Sequence, residues 1–324
     1  MANSKTILFA FPGQGAQYVG MGEDLRERHA AARDVYEQAN DVLGYDITAL
    51  CAEGPEEKLN LTRHTQPALL THHFACLEVF RALTGSKVQA TMAAGHSLGE
   101  YSALMTAGAL DFESALRLVQ QRGALMGEHG EGEMTAFPLD VDTLRPVAEG
   151  FHCAVAGCNL PEQTVIGGRP EDLEQVEAVI AEAFPRKRAV RLKTEGAFHT
   201  YYMVRAAIHY RDVLSATAFK PAQIAVLSNF TGKFHDSGEN TIRSSLFFQL
   251  FHPVLWHANL ISAMEAGVEL IIEFGGGIGP AAPDAKRPNL EGLIKRAQRG
   301  TDYSVEYLPA INCQTLEHAA ETLG

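Results

Sequence analysis

The serine set between two glycines in Gly95-His96-Ser97-Leu98-Gly99 is the group in this chain best suited to nucleophilic chemistry. G-x-S-x-G after a strand and before a helix forces the serine hydroxyl out of a tight turn, where a base and an electrophile can reach it. The glycines allow a backbone approach that a side chain would block. A neutral hydroxyl is a weak nucleophile and needs a base. His199, in Gly196-Ala197-Phe198-His199, is the best placed of the histidines, at a boundary between two segments of different texture where a cleft is expected. Arg122 is the third informative residue. It falls inside the helically spaced apolar stripe of Phe112, Ala115, Leu116, Val119, Gly123 and Met126. Either it lies at the stripe's edge and reaches water along its stem, or it is a buried fork for a carboxylate, in a bidentate geometry that lysine cannot match.

The surrounding pattern must position these groups. Residues 6–11 read as a short apolar strand running into the loop Pro12-Gly13-Gln14-Gly15-Ala16-Gln17, an α/β opening. Residues 22–43 read as one helix and 67–83 as another, with Pro67 at its first position. A strand is expected at 88–94, then the serine turn, then a helix over 112–129 capped by Asp111. From 132 to 194 the order is strand, helix, two strands, helix, strand (134–139, 142–149, 153–158, 164–166, 171–184, 189–192). That βαββαβ order is the ferredoxin-like pattern, so 132–194 is expected to be an inserted subdomain. A helix near 200–216, a strand at 224–228, a helix around 257–266 and a strand at 269–274 complete the main α/β unit.

Composition excludes several classes. The 324 residues are 46% hydrophobic and carry a net charge of -12, enough to bury a large core but without the basic face that nucleic acid requires. No apolar run approaches the roughly 20 residues of a membrane helix. The N-terminus leads straight toward a strand rather than a signal peptide, so a soluble, cytoplasmic protein is expected, with no membrane partner. The five cysteines are widely spaced, which points to reduced thiols rather than disulfides or zinc. Gly13-Gln14-Gly15 lacks the third glycine of a dinucleotide loop, since position 18 is Tyr18. Gly275 to Gly279 has no following Lys-Ser/Thr, and His72-His73 are adjacent, pointing about 100° apart on a helix, a poor metal site.

Several motifs in order then tie the chain to a family: Gly13-Gln14-Gly15-Ala16-Gln17, Thr65-Gln66-Pro67-Ala68-Leu69, Gly95-His96-Ser97-Leu98-Gly99-Glu100-Tyr101-Ser102-Ala103-Leu104, Gln121-Arg122-Gly123-Ala124-Leu125-Met126, Asn159 with Gln163-Thr164-Val165-Ile166, and Gly196-Ala197-Phe198-His199. Over nearly its whole length the chain resembles the malonyl-CoA:acyl-carrier-protein transacylases of fatty acid and polyketide synthesis. The resemblance implies that Ser97 is acylated, that His199 is its base, and that Arg122 grips the distal carboxylate of malonate. It implies further that the amides of Gln14 and Leu98 bind the oxyanion. In this family a backbone carbonyl orients the imidazole; the matching stretch is Gln249-Leu250-Phe251-His252-Pro253-Val254, and His252 is the placement chosen. Phe198 resembles the residue of malonyl-selective enzymes, and Gln66 and Gln163 stand in motifs expected to contact substrate. Two departures are visible: Glu273-Phe274-Gly275-Gly276-Gly277 replaces the family's Glu-x-Gly-Pro-Gly, and Tyr201-Tyr202 follow the base.

The expected architecture is therefore an α/β-hydrolase-like catalytic domain, 1–131 and 195–324, with the ferredoxin-like insert and a cleft between them. The expected activity moves a malonyl or related acyl group from coenzyme A to an acyl carrier protein through a Ser97 ester. No cofactor is expected beyond the thioester substrate and the carrier's phosphopantetheine, and a monomer is expected. Arg186-Lys187-Arg188, Lys286-Arg287, Lys295-Arg296 and Arg299 are solvated faces or docking patches for an acidic carrier or coenzyme A phosphates. Three alternatives stay open: a hydrolase that clears carrier proteins, a transferase of a larger acyl group, and an idle carrier-binding module. The intact Ser97, His199 and Gln14 argue against the last, and Arg122 against a hydrolase of simple acyl chains.

Overall fold

The computed structural model describes residues 5–236 and 238–324. Residues 1–4, which bear on the signal-peptide expectation, lie outside them. The central strand β1 (Ile7–Phe11) is flanked on one side by β2 (Met92–Gly95) and on the other by β8 (Leu270–Phe274). β7 (Ala225–Val226) and β9 (Glu306–Ala310) form the edges, and all pairings are parallel, in the order β7-β2-β1-β8-β9. Parallel strands need helical crossovers that cover both faces. β1 is accordingly buried throughout: Ile7, Phe9 and Phe11 enter one core, and Leu8 and Ala10 the core on the opposite face.

The segment between the halves of this sheet forms a second sheet. Its strands are β3 (Glu133–Phe137), β4 (Ala154–Leu160), β5 (Gln163–Gly168) and β6 (Val190–Leu192), antiparallel in the order β4-β5-β3-β6. With the helices Val141–Gly150 and Pro170–Ala183 this reproduces the βαββαβ order read from the sequence. Alternation decides what each face does. Phe137, Val155 and Ile166 pack with Leu144, Leu173 and Val176 of the two helices. Met134, Ala156 and Val165, on the other face, join the main core together with Phe198.

Local expectations held where the signal was local. The helix Phe112–His129 starts where predicted, with the Asp111 side chain accepting from Ser114 N at 2.7 Å. Others need correction. Residues 22–43 are two helices, Glu23–Arg28 and Ala30–Leu43, broken at His29, whose backbone is extended. The helix containing Pro67 runs Thr62–Thr84, so the proline is interior. It starts five residues early because the Glu195 carboxylate, remote in sequence, accepts from Thr62 N. β2 begins at Met92 rather than 88, with Thr91 closing the strand's start by hydrogen bonds to Ile7 N and O at 3.0 Å. The helices Glu239–Gln249, Glu291–Gln298 and Cys313–Leu323, and β9, were not anticipated. Among the described residues no helix is long and apolar enough to cross a membrane.

His72 and His73 are both fully buried on the helix Thr62–Thr84. His73 Nδ1 lies 2.9 Å from Ser102 Oγ and so ties this helix to the one that follows the serine turn. Burial lowers both groups, His72 from 6.5 to about 4 and His73 well below its ordinary value. Between those limits the unfolded chain binds protons that the folded chain refuses, so stability is lost as pH falls below 6.5. By pH 5.5 the loss is on the order of 1 kcal/mol per histidine. Urea unfolding at pH 7.5 and 5.5 should therefore show His72→Gln/His73→Gln losing about 2 kcal/mol less than the parent over that interval. Equal losses would mean that the two imidazoles are charged in the fold.

Candidate active site

β2 ends at Gly95, and Ser97 takes the left-handed backbone conformation, with φ at 52°. A non-glycine residue held there is strained, a mark of a site the surroundings over-determine. The two flanking glycines are needed because chain segments nearly touch: a Cβ on Gly95 would lie 1.8 Å from Gly99 C, and one on Gly99 2.2 Å from Phe11 O. The turn is stapled by Asn229, which accepts from Ser97 N at 2.5 Å and donates to Gly95 O at 2.7 Å. Among the described residues neither Leu98 N–H nor Gln14 N–H has an acceptor, and Gln14 lines the cavity above the turn. Two free amides beside a nucleophile are the equipment of an oxyanion site.

His199 Nε2 lies 2.7 Å from Ser97 Oγ, and His199 Nδ1 lies 2.7 Å from the Gln249 carbonyl oxygen. A carbonyl can only accept, so Nδ1 carries the proton and the Nε2 lone pair faces the serine. Burial first, and then the nearby Arg122 charge, hold the imidazole down to about 3 against the Gln249 bond that raises it. The residue is thus a neutral base. The expected placement of the orienting carbonyl at His252 is corrected: Gln249, three residues earlier, supplies it. Gln249 is the last residue of the helix Glu239–Gln249, where carbonyls lack intrahelical partners and turn to other donors. His252 instead bonds through Nδ1 to Phe248 O at 2.9 Å, with its ring against Phe230, Phe248 and Phe251.

Arg122 is 1% exposed, so the buried alternative is the one realised. Its Nη1 donates to Gln66 Oε1 at 2.9 Å, and its Nη2 to Gln249 Oε1 at 2.9 Å and Ser97 Oγ at 3.2 Å. The Tyr101 ring stacks below, 5.5 Å from the guanidinium carbon. Among the described residues no carboxylate pairs with Arg122, and its Nε has no acceptor. Every acceptor it has is neutral.

The cavity above Ser97, about 600 Å3, lies between the two sheets. Gln14, Ser97 and His199 form its reactive floor, and Met134, Val165 and Phe198 its apolar wall. Gln66 sits below the floor as a partner of Arg122. Gln163 is not brought to the cavity; Asn159 lines it and holds His96 Nε2 at 2.9 Å. Of the basic clusters, Lys187 pairs with Glu162 at 2.7 Å and Lys286 lies over the Tyr18 ring, while Lys193, which sequence reading passed over, lines the cavity. Asn229 was also missed, and Gln249, the first residue of the stretch read for the orienting carbonyl, was passed over for His252. They reach Ser97 across 132 and 152 residues of sequence.

Known proteins are similar to this chain in sequence and in fold. The malonyl CoA-acyl carrier protein transacylase of Bacillus subtilis is 36% identical over 326 aligned positions, covering 98% of this chain and 97% of its own. The Escherichia coli protein of that name is 39% identical over 83% of this chain and 88% of its own. A solved malonyl-CoA:acyl carrier protein transacylase from Xanthomonas oryzae superposes with a TM-score of 0.87 at 33% identity, covering 99% of each chain. A type II polyketide acyl-carrier protein in complex with its malonyl-transacylase gives 0.86 at 32% identity, over 98% of this chain and 100% of that one. The acyl transferase domain family matches residues 8–275, across both halves of the parallel sheet's nucleophile side and the whole antiparallel insert, and to that family this chain belongs.

Proposed function

We propose that the protein transfers a malonyl group from coenzyme A to the pantetheine thiol of an acyl carrier protein, with Ser97 as the acylated residue. The observation that carries this reading is Arg122: a buried cation with only neutral acceptors, 3.2 Å from the nucleophile. A charge taken out of water is costly unless paired. A donor acyl group with a free carboxylate at its far end supplies the missing charge while its thioester carbonyl meets Ser97. An acetyl or longer neutral group leaves Arg122 as it stands.

In the first half-reaction Ser97 Oγ attacks the thioester carbonyl and its proton passes to His199 Nε2. The oxyanion rests on the Gln14 and Leu98 amides, each worth about 3 kcal/mol of barrier. The C–S bond then breaks, and the coenzyme A sulfur leaves with the proton from His199. In the second half the carrier's thiol gives its proton to His199 and attacks the ester. Serine is restored when the acyl C–O bond breaks and the proton returns to Oγ. The Gln249 carbonyl holds the imidazole in one tautomer throughout. A carrier partner is also consistent with the complex formed by the structural relative described above.

Two sets of variants test this reading. After mixing with malonyl-CoA, intact-protein mass should show one malonyl adduct on the parent and none on Ser97→Ala, whose fold is unchanged. His199→Ala should acylate about 100- to 10,000-fold more slowly, the scale for loss of a positioned base. Adduct on Ser97→Ala would displace the nucleophile assignment. Arg122→Ala should cost malonyl loading about 3 kcal/mol, roughly a hundredfold in kcat/KM. Acetyl loading should change by less than about tenfold. Equal losses for the two donors, or a parent that prefers acetyl, would return Arg122 to a structural role.

A further inference from the structure

Beneath the serine turn lies a buried pair the reaction scheme does not use. Glu100, on the first turn of the helix Gly99–Thr106, and His235, in the hairpin that follows β7, have side chains 0% and 2% exposed. His235 Nε2 donates to Glu100 Oε1 at 2.7 Å. The other oxygen, Oε2, accepts from Asn229 N at 2.9 Å and from Gln249 Nε2 at 2.8 Å. Asn229 and Gln249 are the residues that grip the turn: one holds Ser97 N and Gly95 O, the other donates from Nε2 to Ser97 O at 2.9 Å. Gln249 also presents its carbonyl to His199 and its Oε1 to Arg122.

We propose that Glu100 and His235 are positioning residues for acylation, acting through Asn229 and Gln249 on Ser97, His199 and Arg122 together. The inference rests on the acyl-serine chemistry proposed above. A buried carboxylate must have its oxygens filled by donors, and here they come from two segments, the hairpin that carries Asn229 and His235 and the helix end that carries Gln249, so the carboxylate fixes both relative to its own helix. Gln249 has no freedom left: its two amide protons go to Glu100 and Ser97, so its oxygen must face Arg122. His235 is itself anchored, its backbone N donating to Val226 O at 2.8 Å at the sheet edge. Without the imidazole proton Glu100 keeps its other two donors but loses the contact that sets its rotamer, and both grips loosen at once. A misplacement of about 1 Å at reacting atoms costs roughly a hundredfold in rate.

The test reads acylation by malonyl-CoA, acid-quenched at intervals and followed by intact-protein mass, as a saturating rate and a half-saturating donor concentration. His235→Leu, which lacks the donor, should lower the saturating rate about 10- to 100-fold while half-saturation moves less than about threefold. His235→Gln, whose amide nitrogen reaches the place of Nε2, should recover the rate to within about threefold. His235→Asn is polar but too short to reach Glu100; it should be as slow as the leucine variant and stands in for it if the latter does not fold. A merely structural pair would lower the melting temperature and leave the rate per folded molecule unmoved, with glutamine giving no rescue. Parental rates in the leucine or asparagine variant overturn the inference while leaving the acyltransferase reading intact. A parent that gains no malonyl adduct defeats that reading and this inference with it.

Discussion

The positive charge of Arg122 is the constraint around which the site is arranged. A guanidinium that is 1% exposed and that no carboxylate among the described residues pairs with must be held by dipoles. Both glutamines beside it have their oxygens turned inward, and the face of Tyr101 lies below. Neutral acceptors offset only part of the cost of burying a full charge, and one guanidinium nitrogen has no acceptor among the described residues. The free protein thus stores an imbalance that an anionic acyl group relieves. A lysine would not span Gln66, Gln249 and the serine oxygen from one planar group.

The same charge reaches the base. His199 is lowered first by burial and then by Arg122, so the imidazole stays neutral and ready to accept a proton. Low basicity has an opposing effect, because the imidazolium formed as serine attacks is also disfavoured by its cationic neighbour. A carbonyl dipole, from Gln249, stands behind it rather than a carboxylate among the described residues. Under the proposed function, a donor carboxylate seated on Arg122 cancels part of that field and makes the imidazole a better base at the moment it is needed. Discrimination between malonyl and neutral donors would then act on the chemical step as well as on binding, which is where binding energy raises kcat.

Sequence reading recovered what is encoded locally. Ser97 announces itself by flanking glycines, Arg122 by its place in a helical stripe, and the insert by the order of its strands. The residues that were missed act over long separations. Gln249 belongs to a helix whose buried positions, Ile242, Ser245, Leu246 and Gln249, include two polar residues, while Phe248 on the same helix is exposed; the stripe that would reveal it is broken. Reading the orienting carbonyl at His252 followed from that gap, since a histidine attracts attention and a carbonyl belongs to every residue. The helix Thr62–Thr84 started early for a similar reason, its first N–H being met by Glu195 from across the chain. Tertiary partners decided these boundaries, and no window of sequence contains them.

The two sheets divide the work of the site by their periodicity. The parallel sheet is covered on both faces, so its reactive groups emerge only at strand ends: Ser97 beyond β2 and Gln14 in the loop after β1. The antiparallel sheet gives one face to its own helices and the other to the cavity, so its contribution is a wall of apolar side chains, Met134, Ala156 and Val165, closed by Phe198. The nucleophile and the buried Arg122 belong to one layer, and most of the apolar wall to the other. Exchanging a wall residue for a larger or smaller one changes the room for the acyl group without touching the hydrogen bonds that run from Glu100 through Gln249 to His199 and Arg122. A fold built this way can alter the acyl group it accepts through the insert alone, while the catalytic floor, locked by close backbone contacts at Gly95 and Gly99, stays fixed.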